Sequence, residues 1–541
     1  MRPSRIVPAA LFAATILGAQ TPPAGIAPEQ QPDFQTLAQA VRTLRRTANA
    51  GDPATAQADK LIADSSSAAR GEGRRKLANA WVLLHGGTWD RTEEYRWSLA
   101  LRPDAVAADS SLPLVVRLTQ TYPASYQASE ALRLRLSLRS KDEKDPKAVR
   151  QMGVFDLPAA DLIEQPYGVG AGLDGVADGA YAIQAEVLDG ATPVAAVLSP
   201  VQVVKGIARD RAALERRLSA IPGHESTKAS IRYPYVLAET VNMGRRHWND
   251  ADFGLPFQPQ LPYDFAAGVA NSAALMKSLE GGKDPLYRAR GDHERHYWFE
   301  DAGETMAYRV YAPLRWDGKA KLPMVLVLHG NTRDQDYYFD RDGHILATLA
   351  EQHGYLVVCP MGYRPSAGWG SSSLNRAPAG RGGAAADPAR PRQGELSEKD
   401  ALNVLDLVTG EYPVDPDRIY LFGHSAGGAG AWYLGEKYAG KWAAIAASAA
   451  PTRPAGFPFD RLQGMPILVC HGDRDDEVPV ANSRNMVKAA RDAGLDPQYL
   501  EVPGATHVTV VAIIEPKVFD FFDRHPRRNS AAATEARAAG R

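Results

Sequence analysis

The chain has 541 residues, enough for about three or four domains. Its 45% hydrophobic and 23% charged residues fit a globular protein with a core and exclude wholesale disorder or a collagen-like chain. Sixty-two Lys+Arg against 63 Asp+Glu leave a net charge of −1, so there is no global basic excess for nucleic acid, and two cysteines exclude a disulfide-stapled scaffold and a zinc site built from four cysteines.

Residues 1–19 have the pattern of an export signal. Arg2 and Arg5 precede an apolar run from Ile6 to Leu17, and Gly18-Ala19 offers a small-residue cleavage point. The run is too short for a stable membrane-spanning helix, and no later stretch is apolar enough to be one. The expected product is a soluble exported protein, periplasmic or extracellular. Residues 20–110 read as a Pro- and Gln-rich linker followed by a helical region, where Leu77, Ala80, Trp81 and Leu84 recur on one helix face. From 111 to 206 the pattern is strand-like. Leu114–Leu118, the alternating Leu132–Leu136 and Tyr181–Val187 before Asp189-Gly190 predict a small β-sandwich domain. Residues 207–290 return to helical patterning as a linker region. Residues 526–541 form a basic, Ala-rich tail expected to be disordered.

Residues 291–525 predict an α/β domain. Tyr297-Trp298-Phe299 and Met306–Tyr311 suggest a hairpin. Apolar runs at Met324–Leu328, Tyr355–Cys359, Ile419–Phe422, Ala443–Ala447, Ile467–Cys470 and Tyr499–Val502 then alternate with helical segments. One helix carries Ile345, Leu346, Leu349 and Ala350 and stops at Gly354. Another is expected to open at a capping box, Ser397 with Asp400. Unalternating apolar strands separated by helices mean a mostly parallel, doubly wound sheet covered on both faces.

Gly423-His424-Ser425-Ala426-Gly427 fits G-x-S-x-G, a weak motif alone. Here it follows an apolar strand and opens a helical stretch, the strand–turn–helix setting in which a serine is presented as a nucleophile. Serine needs a base, and the base a carboxylate to orient it. Asp475 lies just past the strand Ile467–Cys470, and His507 just past Tyr499–Val502. Both are at the sheet edge where sites assemble in parallel α/β folds. Two N–H donors should face the developing oxyanion, that of Ala426 and, after Leu328-His329-Gly330, that of Asn331.

These elements resemble the α/β-hydrolases: Leu328-His329-Gly330, Gly423–Gly428, His471-Gly472 with Asp475, and His507. The nearest resemblance is to the exported esterase group that includes feruloyl and acetyl xylan esterases, polyhydroxyalkanoate depolymerase-like enzymes and prolyl-oligopeptidase-like hydrolases. It covers under half of the chain. It implies an α/β-hydrolase catalytic domain, here preceded by the helical region, and some esterases of this type carry an immunoglobulin-like domain before the catalytic one, which the strands within 111–206 would fit. It also implies the strand order 4-3-5-6-7-8, and Asp475, by its H-G-x-x-D spacing, as the acid ahead of Asp473 and Asp476. The expected reaction is cleavage of small-molecule or polymer esters through an acyl-enzyme, without metal or organic cofactor. A serine peptidase with the same triad, and a non-catalytic carbohydrate- or surface-binding protein, stay open as alternatives. A prolyl oligopeptidase proper would carry a propeller of repeated blades, and the chain has no internal repeat.

Further residues have two readings. Tyr337, Tyr338, Tyr363 and Trp369 lie on loops near the elbow and either stack on substrate or pack the loops. His424 either contacts substrate or supports the elbow. Leu84-His85-Gly86-Gly87 imitates an oxyanion motif but ends a helical segment, which suits Gly86 as a helix cap. His293 and His296 lack the H-E-x-x-H spacing of zinc proteases. Residues 366–395 form a long loop, either a lid or disordered.

Overall fold

A computed structural model describes residues 34–49, 51–140, 149–158, 161–208, 211–246, 263–364, 366–373 and 390–527. The export signal, the tail beyond residue 527 and most of the long loop, residues 374–389, lie outside the described residues.

The chain forms two compact units. The first comprises residues up to 210 with 235–258 and 264–269, and the second 211–234, 259–263 and everything from 270 onward. The span 207–290, read as one helical linker, is therefore divided between them. Its helices are Arg211–Ser219, Glu225–Arg246 and Phe265–Glu280.

In the first unit, four helices (Phe34–Thr47, Pro53–Ser65, Arg70–Leu84, Arg91–Ser98) bury Leu37, Val41, Leu77, Ala80, Trp81 and Trp97 together. The third ends as its sequence dictates. Gly86 takes φ +75° and its N–H caps Leu83 O, so the Leu-His-Gly-Gly run is a helix terminus. Strand structure begins at Leu99–Pro103, inside the span expected to be helical. This short strand follows the fourth helix without a break, which left no composition change to read. It joins Leu114–Gln120 and Tyr167–Ala171 in a three-stranded sheet. Five further strands, Ala107–Ala108, Thr192–Val203, Gly179–Asp189, Leu132–Ser140 and Val149–Asp156, form a second sheet. Leu101, Val116 and Leu118 of the first share one apolar cluster with Leu134, Leu136, Ile183, Val187 and Val197 of the second.

The second unit is built on eight strands, numbered in chain order: β1 (Gly291–Phe299), β2 (Glu304–Ala312), β3 (Leu322–Leu328), β4 (Leu356–Pro360), β5 (Val414–His424), β6 (Ala444–Ser448), β7 (Ile467–Gly472) and β8 (Gln498–Val502). Their order across the sheet is 1-2-4-3-5-6-7-8. The β1–β2 and β2–β4 pairs are antiparallel; all others are parallel. Alternate strand residues, including Val325 and Val327, Val357 and Cys359, Tyr420 and Phe422, and Leu468 and Cys470, pack with helices Ile345–His353 and Val510–Asp523. The intervening residues face the other way. There Gly435 of the helix Ala426–Lys437 lies so close to Ile445 that an added Cβ would come within 2.9 Å of its side chain. Both faces are thus covered, which explains why the strand sequences do not alternate.

The capping-box expectation fails. The helix runs from Arg390 to Glu411 and Ser397 and Asp400 lie inside it. Both are buried, and they tie the helix to loops instead: Ser397 Oγ accepts from Trp369 N, and Asp400 accepts from Tyr297 Oη and Gly362 N, both at 2.6 Å. Burial pushes the Asp400 carboxyl up to about 6, against the pull of these donors.

Candidate active site

β5 delivers Ser425 into a turn that persists only because its surroundings hold it. Its φ/ψ of 58°/−122° lies where non-glycine residues seldom go. Ser425 N donates to Ser448 O at 2.9 Å, and Ser425 O accepts from Ala429 N at 3.0 Å, so both main-chain groups are satisfied. The flanking glycines are required by contact. A Cβ on Gly427 would lie 2.0 Å from Leu328 O, and one on Gly423 would lie 2.1 Å from Gly427 O. The turn then enters the helix Ala426–Lys437, where Ala426, as first residue, has an N–H with no helical acceptor.

The end of β3 comes up beside the serine. A Cβ on Gly330 would stand 3.3 Å from Ser425 Cβ, so Gly330 lets this loop approach the elbow, and the exposed Asn331 follows it. His329 is buried with its ring nitrogens 2.8 Å from Gly330 O and 2.7 Å from Met361 O, which fastens the loop to the end of β4. Burial lowers its pKa, leaving a neutral ring that donates to one of these carbonyls.

His507 and Asp475, both expected at the C-terminal edge of the sheet, meet there. Nδ1 of His507 lies 2.7 Å from Asp475 Oδ2, and the Asp475 side chain is fully buried. Burial alone would raise this carboxyl, but hydrogen bonds from His471, His507 and Val478 N–H hold it well below the usual range. Asp473 is engaged elsewhere, accepting from Gly504 N at 2.6 Å, and Asp476 is exposed. On its other side His507 faces His424, with ring centroids 4.6 Å apart. His424 is next to Ser425 in the chain, so serine and histidine reach the same sheet edge. Among the described residues no hydrogen bond joins Ser425 Oγ to His507 Nε2. That link is often open in enzymes without substrate.

The other expected contacts are sorted by burial. His424 is buried, its Nδ1 3.0 Å from Ser448 Oγ, and burial, then the nearby His507, pushes its pKa far down. It packs beside His507 as a neutral ring inside the fold. Tyr338 and Trp369, also expected to contact substrate, are buried as well. Tyr338 packs on Phe422, and Trp369 donates its Nε1 hydrogen to His329 O at 3.1 Å. Their loops fold back into the interior, so Trp369 braces the His329–Asn331 loop. Tyr337 is half-buried between the guanidiniums of Arg333 and Arg341, and Tyr363 is covered by Arg364. His293 and His296 lie on β1. His296 stacks on Tyr233 and has its Nδ1 3.2 Å from Ser230 Oγ. Among the described residues, no group of three or more His, Cys, Asp or Glu is placed to hold a metal ion.

Two contacts carry no sequence signal of their own. His471, at the end of β7, has Nε2 2.9 Å from Val478 O and 3.2 Å from Asp475 Oδ2, while Nδ1 is 2.7 Å from Ser483 Oγ. Facing two oxygens, Nε2 carries the proton, so Asp475 is held between two imidazoles. Glu477 brings a carboxylate oxygen to 3.8 Å from His507 Nε2.

Residues 299–499 match the family model described as "Putative esterase". Among curated relatives, a bifunctional acetylxylan esterase/xylanase of Neocallimastix patriciarum is 28% identical over 193 residues, 36% of this chain and 25% of that one. An S-formylglutathione hydrolase of Rattus norvegicus is 29% identical over 168 residues, 29% of this chain and 55% of that one. The matches thus span between a quarter and about half of these relatives. A solved CE1 ferulic acid esterase from Anaeromyces mucronatus, in complex with ferulic acid, aligns over 44% of this chain and 94% of its own at 17% identity, with a TM-score of 0.35.

Proposed function

We propose that this protein is an exported serine hydrolase of carboxylic esters. Ser425 attacks the ester carbonyl, and His507 takes its proton and passes it to the departing alcohol. Asp475 fixes the His507 tautomer and stabilises the imidazolium. The N–H groups of Asn331 and Ala426 receive the oxyanion. Water activated by His507 then releases the acid. The observation that carries this reading is the strained Ser425 turn at the same sheet edge as the 2.7 Å His507–Asp475 pair. Such strain persists where the surrounding structure over-determines it, and it concentrates at active sites. The match to esterases supports ester substrates. Export rests on the N-terminal sequence pattern. We read the two sheets of the first unit as an immunoglobulin-like sandwich appended to the catalytic domain.

The test is labelling with a fluorophosphonate probe followed by peptide mapping. One adduct on Ser425, absent after prior heat denaturation, is expected. Failure to label the folded protein, or an adduct on another serine, would refute the assignment.

A further inference from the structure

We propose that Glu477 forms the leaving-group subsite and selects esters whose alcohol carries a hydrogen-bond donor next to the ester oxygen, a hydroxyl or a protonated amine; this rests on the ester-hydrolase reading above. When the acyl C–O bond breaks, the proton taken from Ser425 passes from His507 Nε2 to the alcohol oxygen. That oxygen must therefore sit within hydrogen-bond reach of Nε2, about 3 Å. The Glu477 carboxylate, 3.8 Å from the same nitrogen, then lies no more than roughly 7 Å from the departing oxygen. A donor on the second carbon of the alcohol reaches into that interval.

The carboxylate is available and the main chain that presents it is fixed. Its side chain is 52% exposed, whereas that of Asp475 is fully buried against Nδ1. The Glu477 N–H donates to Asp475 Oδ1 at 3.0 Å and the Val478 N–H to the same atom at 2.8 Å. The carboxylate that orients the base thus also anchors the main chain presenting Glu477. Asp473 is bound to Gly504 N, which leaves Glu477 as the acid placed at the proton-donating nitrogen. Acceptor chemistry of this kind attracts hydroxyl and ammonium groups and repels a carboxylate on the alcohol.

The experiment compares kcat/KM at pH 7 for four acetate esters: propyl, 2-hydroxyethyl, 2-(dimethylamino)ethyl and carboxymethyl. Wild type is expected to prefer the hydroxyethyl and aminoethyl esters over propyl by roughly three- to tenfold, and to disfavour carboxymethyl by a similar factor, the size for a half-exposed charged contact. Glu477→Ala should bring all ratios close to one. Glu477→Gln, which keeps an acceptor oxygen, should retain the hydroxyethyl preference and lose the two charge effects. Because each ratio is taken within one variant, partial loss of folded protein cancels. A hydroxyethyl preference unchanged in Glu477→Ala, aminoethyl and carboxymethyl ratios unchanged in either variant, or no discrimination in wild type, would overturn the subsite. Absence of any Ser425-dependent cleavage of all four esters would instead defeat the hydrolase reading itself.

Discussion

Ser425 holds a backbone conformation that costs on the order of 1–3 kcal/mol, and the residues around it offset that cost through two hydrogen bonds and two glycine contacts. Position likewise distinguishes the three aspartates of the β7 loop. Asp475→Asn is expected to lower kcat by roughly 10³- to 10⁴-fold, because an amide cannot stabilise the imidazolium and favours the wrong tautomer. Asp473→Asn should leave kcat within a few-fold, since its partner is Gly504 N. Steady-state kinetics on both variants decide this, and an equal or larger loss in Asp473→Asn would move the acid. The Ser425 turn and the His507–Asp475 contact were legible because Ser425 lies in G-x-S-x-G after an apolar strand, Asp475 in H-G-x-x-D after a second, and His507 just past a third. The His471–Asp475 contact was not, because it depends on how residues 471–478 turn. Nor was the burial of Trp369 and Tyr338, since an aromatic loop residue looks the same whether it faces ligand or core.

Among the elements, strand positions and order in the eight-stranded sheet agree with the reading of the apolar runs and of the resemblance. Cys359 on β4 and Cys470 on β7 are separated by β3, β5 and β6, and both are buried free thiols. Four inter-strand steps of ~4.8 Å put them well beyond disulfide reach. The start of the helix Arg390–Glu411 was missed because Ser397 and Asp400 imitate a cap while serving a buried tie between helix and loops. The helix Val510–Asp523, which follows His507, buries Glu515 completely. Neither of its carboxyl oxygens has a partner among the described residues, and burial raises its pKa to about 8. Tyr338, Arg341, Asp342 and Cys359 are the groups that sense or influence its charge. The folded state therefore holds Glu515 protonated at neutral pH, while the unfolded chain ionises it from about pH 4. Its contribution to stability is full below that value and declines as pH rises to about 8. Glu515→Gln, which cannot ionise, should gain in Tm relative to wild type as pH rises from 5 to 8, and the gain should level off above that. A Tm difference that is constant across this range would contradict the burial argument.

For the whole molecule, the sequence divides the chain less sharply than the structure does. Helix and strand types in the first unit follow from periodicity, yet the strand Leu99–Pro103 is too short and too close to a helix to announce itself. The helices between residues 211 and 280 are apportioned between two units by long-range packing, which a local pattern does not encode. Among the described residues, the two sheets of the first unit hold three and five strands, unlike the repeated blades of a propeller. No described helix is long and apolar enough to cross a membrane. In the second unit, the proposed function places a serine nucleophile acting on esters at the sheet edge. The most direct test is kcat for a p-nitrophenyl ester with pure, folded Ser425→Ala beside wild type. A fall of roughly four to six orders of magnitude with an unchanged Tm is predicted. Turnover close to that of wild type in the folded variant would contradict it.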